Sequence, residues 1–255
     1  PLDLSKRLKY LIRYPHGCIE QTTSSVFPQL FLSKVMDLNE KELGNLENNI
    51  KAGIKRLKTF QVSNGALSYW PGENDASSWG TNYGGHFLIE AKIMGYAVPD
   101  GMMKGILKYQ KQQANKWKRD GNFYNHPHGK ESDEIIQAYR LFTLALSEKP
   151  ALGAMNRMKE MQNISNIALW RLAGAYALIG KEKIANQIVA DLNTDIKPYK
   201  EMRHSYGSSL RDKAMILEVL NLTNDKLKGK RMFDDIAKQL SSNNWHRTQT
   251  TAYSL

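Results

Sequence analysis

The chain has 255 residues, 41% of them apolar, with 18 Gly, 8 Pro and a single Cys. That length and apolar fraction can bury a large core without disulfide or metal support, and the low Gly and Pro content excludes collagen-like or low-complexity character. Thirty-six Lys and Arg against 25 Asp and Glu give a net charge of +11. The cations are scattered, as in Lys104, Lys108, Lys111, Lys116, Lys118 and Arg119. No zinc-finger spacing, DNA-reading motif or RNA-binding aromatic signature accompanies them, so the charge implies a basic surface and no nucleic-acid partner. No apolar run approaches the length of a membrane span, and no membrane insertion is expected from these residues. One cysteine rules out internal disulfides and multi-cysteine metal sites, and no cofactor is expected. The chain begins Pro1-Leu2-Asp3-Leu4, without Met or an apolar leader, and stops inside a helix-like pattern at Thr250–Leu255. It is therefore expected to be a fragment of a larger multidomain protein with its final helix truncated.

Apolar residues recur at helical spacing nearly throughout, and strand signals are almost absent. Leu4, Leu8, Leu11 and Ile12 predict a short amphipathic helix, and a second begins near Cys18 with Val26, Phe27, Leu30, Phe31 and Val35. A third runs from Lys41 through Leu46, Ile50, Ile54 and Leu57 to Phe60; after a Gly/Asn loop comes one with Tyr83, Phe87, Leu88 and Ala91. Pro99 opens the next at a favoured early helical position. Further helices are predicted over roughly 132–147, 150–163, 165–179, 181–193, 208–221, 230–241 and 246–255, about twelve in all.

Several share an entry pattern, a polar capping residue ahead of a strongly apolar face: Thr81-Asn82-Tyr83, Ser132-Asp133-Glu134, Ser165-Asn166-Ile167, Ser208-Ser209-Leu210 and Thr248-Gln249-Thr250. The starts recur about every forty residues, one helical hairpin each, with a more polar helix before each apolar one. Alternating helices of this kind form inner and outer layers. Their uneven spacing favours an all-α, closed α/α toroid of about six hairpins over an open solenoid. No Pro-, Gly- or Ser-rich linker interrupts the chain, which predicts one domain over 1–255.

The single cysteine stands in Tyr14-Pro15-His16-Gly17-Cys18-Ile19-Glu20-Gln21-Thr22-Thr23-Ser24. Cys18 and Gln21, three apart at a helix start, lie on one face within reach of each other. Attack of the sulfur on the Gln21 side-chain carboxamide, with loss of ammonia, would close an internal thioester, and a helix N-terminus favours the thiolate. With 11 Gln in the chain, a Gln at that offset arises by chance about once in 23, so the pair alone is weak.

The wider stretch is not. Gly17-Cys18-Ile19-Glu20-Gln21 resembles the Gly-Cys-x-Glu-Gln thioester signature of the alpha-2-macroglobulin and complement family. The flanks, Arg7-x-x-x-Leu11-Ile12-x-Tyr14-Pro15 before and Thr22-Thr23-Ser24 after, are similar to its bacterial branch. So are Gly65-Ala66-Leu67-Ser68-Tyr69-Trp70-Pro71-Gly72, Ser78-Trp79-x-Thr81-x-Tyr83, Gly95-Tyr96-x-Val98-Pro99 and Tyr206-Gly207-Ser208-x-Leu210-Arg211-Asp212. The resemblance runs in order over nearly the whole chain. It departs at Ile19 and His16, where Gly, Leu, Val or Thr and then Tyr are commoner. It departs also at Gly84-Gly85, an unfavourable helical choice of about 1 kcal/mol per Gly.

The resemblance implies an α/α-toroid thioester domain from a secreted or periplasmic protease trap, anchored to a membrane, if at all, through its parent chain. Its partners would be target proteases or cell surfaces and the macroglobulin-type domains of the same chain. It assigns Cys18 and Gln21 to the thioester, Glu20 to orienting it and Tyr14 to shielding it. In complement relatives a His beyond the Cys catalyses transfer, and His126 or His128 would take that role. Such a domain fires once per molecule and is no enzyme in the turnover sense. Two other classes stay open on residues alone. Asp75 with Glu73, or Asp133 with Glu134, would suit a helical-toroid glycosidase or lyase, and a purely helical binding scaffold needs none of these residues.

Overall fold

The computed structural model describes residues 12–119, 129–199, 205–242 and 246–254. Among them are twelve α-helices, one 3-10 turn and no strand; the only extended pairing is two isolated bridges, Gln61 with Leu67 and Ser68 with Ala76. No described helix is long and apolar enough to cross a membrane. The packing divides into two compact units, one drawn from Pro1–Tyr109 and Leu240–Leu255, the other Gln110–Gln239.

The first unit carries α1 (Ile19–Val26), a 3-10 turn (Pro28–Leu30), α2 (Leu32–Val35), α3 (Glu40–Lys58), α4 (Ser78–Ile93) and the start of α5 (Asp100–Lys116). Helix α3 forms for local reasons. Asn39 Oδ1 accepts from the Glu42 N–H at 2.9 Å, and Glu42 Oε2 accepts from the Asn39 N–H at 3.0 Å. Acids fill its first turn and Lys55, Arg56 and Lys58 its last, matching the helix dipole at both ends. Its buried stripe, Leu46, Ile50, Ile54 and Leu57, has the predicted period.

Helix α4 starts earlier than the Thr81 cap that the sequence suggests. Ser77 is the cap, its Oγ accepting from the Gly80 N–H at 3.1 Å. Thr81 instead donates its hydroxyl to Ser77 O at 2.7 Å and accepts from the Leu67 N–H at 3.0 Å, fastening the 60–77 loop to the helix. The costly Gly84-Gly85 pair has a steric reason. A Cβ at Gly84 would lie 2.8 Å from Leu67 Cδ1, and one at Gly85 would lie 3.3 Å from Ile106 Cγ2. One turn earlier, a Cβ at Gly80 would lie 2.7 Å from Ile19 Cγ2. The glycine face of α4 thus admits the loop, α5 and the first residue of α1.

The second unit holds α6 (Gly129–Leu146), α7 (Leu152–Glu160), α8 (Asn166–Leu178), α9 (Glu182–Val189), α10 (Ser209–Leu222) and most of α11 (Lys226–Ser241). The apolar α8 packs against α6, α7, α9 and α10. Ser165 and Ser208 are the caps the sequence predicts, whereas Ser132 lies inside α6. Arg171 is buried in α8, its guanidinium 3.4 Å from the Phe142 ring centroid and 4.7 Å from that of Tyr139, and paired with Glu218. Charge pairing and ring contact together offset its desolvation. Helix α12 (Thr248–Ser254) belongs to the first unit and packs on α1, so the end of the chain returns to its beginning.

The Gly80–Ile19 approach gives a stability test. Gly80→Ala should cost about 1–2 kcal/mol, overpacking outweighing the gain in helix propensity. Ser77 Oγ lies 2.8 Å from the same Cβ position, so in an Ile19→Ala background, which removes only the Ile19 contacts, the same change should cost less, though not nothing, in denaturant unfolding. Equal losses in both backgrounds would show that Ile19 does not limit how closely α1 and α4 approach.

Candidate functional site

Gly17 ends the incoming strand of chain with φ +81°, in the left-handed region, and Cys18 follows in extended conformation as the N-cap of α1. The left-handed turn points the chain so that residues 18 and 21 face one another across the first helical turn. Gln21 folds back toward its own helix start, and its Oε1 accepts from the Cys18 N–H at 3.2 Å. Cys18 Sγ faces the Gln21 N–H without closing a full hydrogen bond to it. A Cβ on residue 17 would lie 2.0 Å from Gln21 Oε1 and 3.0 Å from Gln21 Cδ. Only glycine leaves that volume to the carboxamide. Cys18 is 3% exposed, so its sulfur is sheltered while the Gln21 residue reaches solvent.

The turn is held from three sides. The Ile19 N–H donates to Tyr69 O at 3.0 Å, which binds the helix start to the 60–77 loop. Thr22 Oγ1 donates to His16 O at 3.2 Å, with Gly17 O at 3.4 Å. Arg56, from the last turn of α3, donates Nη2 to Gly17 O at 2.8 Å and Nε to Thr22 Oγ1 at 3.1 Å. Sequence reasoning missed Arg56. A basic residue in the last turn of a helix looks like a dipole complement, and nothing local points it at a turn 39 residues away.

Glu20 is turned inward on the same helix. Its Oε1 accepts from Ser24 Oγ at 3.0 Å, and the Ser24 hydroxyl lies 3.3 Å from the Tyr83 hydroxyl on α4. Burial pushes the Glu20 carboxyl above the usual glutamate range. The Ser24 hydroxyl, the Gln249 backbone N–H and the Arg247 charge pull against that rise. Through Gln249 the carboxylate also ties α12 to α1. The starts of α1, α4 and α12 are therefore neighbours, through Ile19 against Gly80 and Glu20 with Gln249.

Tyr14 is 68% exposed. His126 and His128, with the whole 120–128 loop, lie outside the described residues. His86 packs edge-on against Phe27, ring centroids 4.8 Å apart, with Glu90 Oε1 at 3.7 Å from its Nε2. Three of the four paired acids, Glu73, Asp133 and Glu134, have structural work. Glu73 Oε2 accepts from the Trp70 N–H at 3.0 Å, and Asp133 accepts from the Trp117 indole at 3.1 Å. Glu134 accepts from the Ser165 N–H at 2.7 Å and faces Arg119 at 3.3 Å. Among the described residues, no three His, Cys, Asp or Glu side chains converge where a metal ion would sit.

Residues 3–127 match the family described as the A-macroglobulin TED domain. Alpha-2-macroglobulin of Escherichia coli is 29% identical over 98% of the chain and 16% of its own length, and that of Xylella fastidiosa strain Temecula1 is 26% identical over 86% and 14%. The crystal structure of native Escherichia coli alpha-2-macroglobulin from domain MG7 to the C-terminus superposes with a TM-score of 0.80 at 27% identity, covering 100% of this chain and 41% of that one. The chain is homologous to bacterial alpha-2-macroglobulins over nearly its whole length. Its helices have the α/α-toroid fold of the matching domain, in agreement with the helix-pair count in the sequence. It spans about a sixth of the length of the curated alpha-2-macroglobulins it matches most fully. Salmonella alpha-2-macroglobulin reacted with methylamine is also similar, with a TM-score of 0.79 at 26% identity over 100% of this chain and 17% of that one.

Glu20 provides a pH test of this geometry. A carboxyl whose pKa is raised on folding binds its proton more tightly in the native than in the unfolded state. Its contribution is full below the unfolded pKa and is lost as pH rises through the folded one. Glu20→Gln removes that titration and keeps an acceptor for Ser24 and Gln249. The stability of E20Q relative to the original chain should rise between about pH 4 and pH 8, read from denaturation midpoints. A constant difference across that range would mean that burial does not perturb Glu20.

Proposed function

We propose that this chain is the thioester-bearing domain of a protease trap, and that Cys18 and Gln21 form the thioester. The observation that carries this is the fold-back of the Gln21 carboxamide onto the Gly17–Cys18 turn, in a volume that a side chain at residue 17 would fill. Sγ attacks Cδ and the carbonyl electron pair moves to Oε1. Collapse then expels Nε2 as ammonia, which carries away the thiol proton. The product is an acylating agent stored in the fold. An incoming amine attacks the same carbon, the C–S bond breaks, and the proton lost by the amine ends on Sγ. Each molecule reacts once, so the chemistry is covalent capture without turnover.

Support comes from the relatives. Solved forms include Escherichia coli alpha-2-macroglobulin activated by trypsin and by porcine elastase, and the Salmonella protein reacted with methylamine. Amine attack and protease activation are the two events that a thioester trap needs. By the same analogy, the partners are attacking proteases or target surfaces and the macroglobulin-type domains of the same protein. The setting is secreted or periplasmic, with any membrane anchor outside these residues. Tyr14, being exposed, shields the bond together with whatever docks against it. Direct attack by lysine amines needs no histidine; His126 or His128 would extend the range to hydroxyls. Of the four candidate acids of a glycosidase or lyase, Glu73, Asp133 and Glu134 are committed to backbone and indole hydrogen bonds, which leaves neither pair whole for acid–base work.

Methylamine provides the test. The native protein should release one thiol per chain on treatment, and residue 21 should become a methylamide detectable in its peptide. Cys18→Ser should give neither product while retaining the helical fold by circular dichroism. Release of thiol without methylamide at residue 21 would locate the acyl group elsewhere.

A further inference from the structure

Gly17 and Cys18 share one peptide group, and both its ends are engaged. Its carbonyl oxygen accepts from Arg56 Nη2 at 2.8 Å, and its N–H donates to Gln21 Oε1 at 3.2 Å. A cation on the oxygen of an amide draws electron density from the nitrogen, so the N–H at the other end becomes a stronger donor. Arg56 is well placed to act in this way. Its Nε is tied to Thr22 Oγ1 and its guanidinium lies 5.6 Å from the Phe60 ring centroid. Among the described residues no carboxylate lies within ion-pair distance of it, so its charge is not cancelled locally.

We propose that the Cys18 N–H is the oxyanion donor of the thioester chemistry, and that Arg56 is the positioning residue that aims and polarises it through the Gly17 carbonyl. This rests on the thioester proposed above. Negative charge develops on Gln21 Oε1 twice, first when Sγ adds to Cδ and ammonia leaves, and again when an amine adds to Cδ and Sγ leaves. The same N–H faces that oxygen in both steps. Donors preorganised toward a developing oxyanion are among the largest contributions to acyl transfer. Here the donor belongs to the backbone of the nucleophile itself, and its strength is set from α3. Thr22 fixes the guanidinium in the orientation that reaches Gly17 O, which a lysine ammonium, a point donor, cannot reproduce on both acceptors.

The experiment uses the full-length protein, with Arg56→Gln, Arg56→Lys and Thr22→Val variants. Thiol release by methylamine is followed over time, alongside the thermal midpoint. R56Q should open about tenfold more slowly per intact thioester, with R56K and T22V between it and the original protein. Added methylguanidinium should accelerate R56Q and leave the original protein unchanged. A merely structural Arg56 predicts the opposite sign, since loosening the turn would expose the bond and speed its opening. Opening of folded R56Q at the original rate or faster would overturn the proposal. Should R56Q fail to fold, T22V decides: slowed opening supports the relay, and opening at the original rate overturns it. An original protein that releases no thiol at all would remove the thioester itself, an outcome separate from any Arg56 effect.

Discussion

Gln21 Oε1 lies where a side chain at residue 17 would otherwise begin, and this shared volume is the constraint on which the rest of the site depends. A left-handed Gly17 sets Cys18 as the helix cap, and the cap's N–H fixes the Gln21 carboxamide beside it. Any larger residue at 17 would suffer twice, from the backbone conformation and from direct overlap with Oε1. Proximity of this kind is what an uphill exchange of amide for thioester requires. In the proposed reaction the two groups would be held together beforehand, so little entropy would remain to be lost on ring closure.

The surroundings maintain that turn and connect it to distant parts of the chain. Tyr69 O takes the first free amide of α1, Arg56 and Thr22 hold the peptide oxygens before the cap, and Ile19 fits against the glycine face of α4. Glu20 carries the connection to the last helix through the Gln249 amide. A buried carboxylate at that place costs solvation, and a hydroxyl, an amide and the Arg247 charge offset part of the cost. Helix α12 is thus fastened to the helix that Cys18 caps, and changes near the end of the chain have a short physical route to Cys18.

Much of this was legible because it is local. A Cys and a Gln three apart at a helix start lie within reach of each other, and Ser165 and Ser208 cap where their sequence context says they should. Local signals also misled. Thr81 has a capping residue's chemistry, but its hydroxyl is spent on Ser77 O and Leu67, and the helix begins at Ser78. What the sequence hid is long-range. Arg56 reaches Gly17 from another helix, and the Gly84-Gly85 pair makes sense only once Leu67 and Ile106 are seen against it. Glu73, Asp133 and Glu134 read as chemistry in one dimension and as hydrogen-bond acceptors in three.

The most direct measurement is the intact mass of the native protein under non-reducing, amine-free conditions, followed by peptide mapping. A thioester between Cys18 and Gln21 makes the chain about 17 Da lighter than its sequence, by loss of ammonia, and leaves Cys18 unreactive to thiol reagents. The deficit should map to the peptide containing both residues. A chain of full sequence mass, with Cys18 alkylated after gentle unfolding and Gln21 intact, would contradict it.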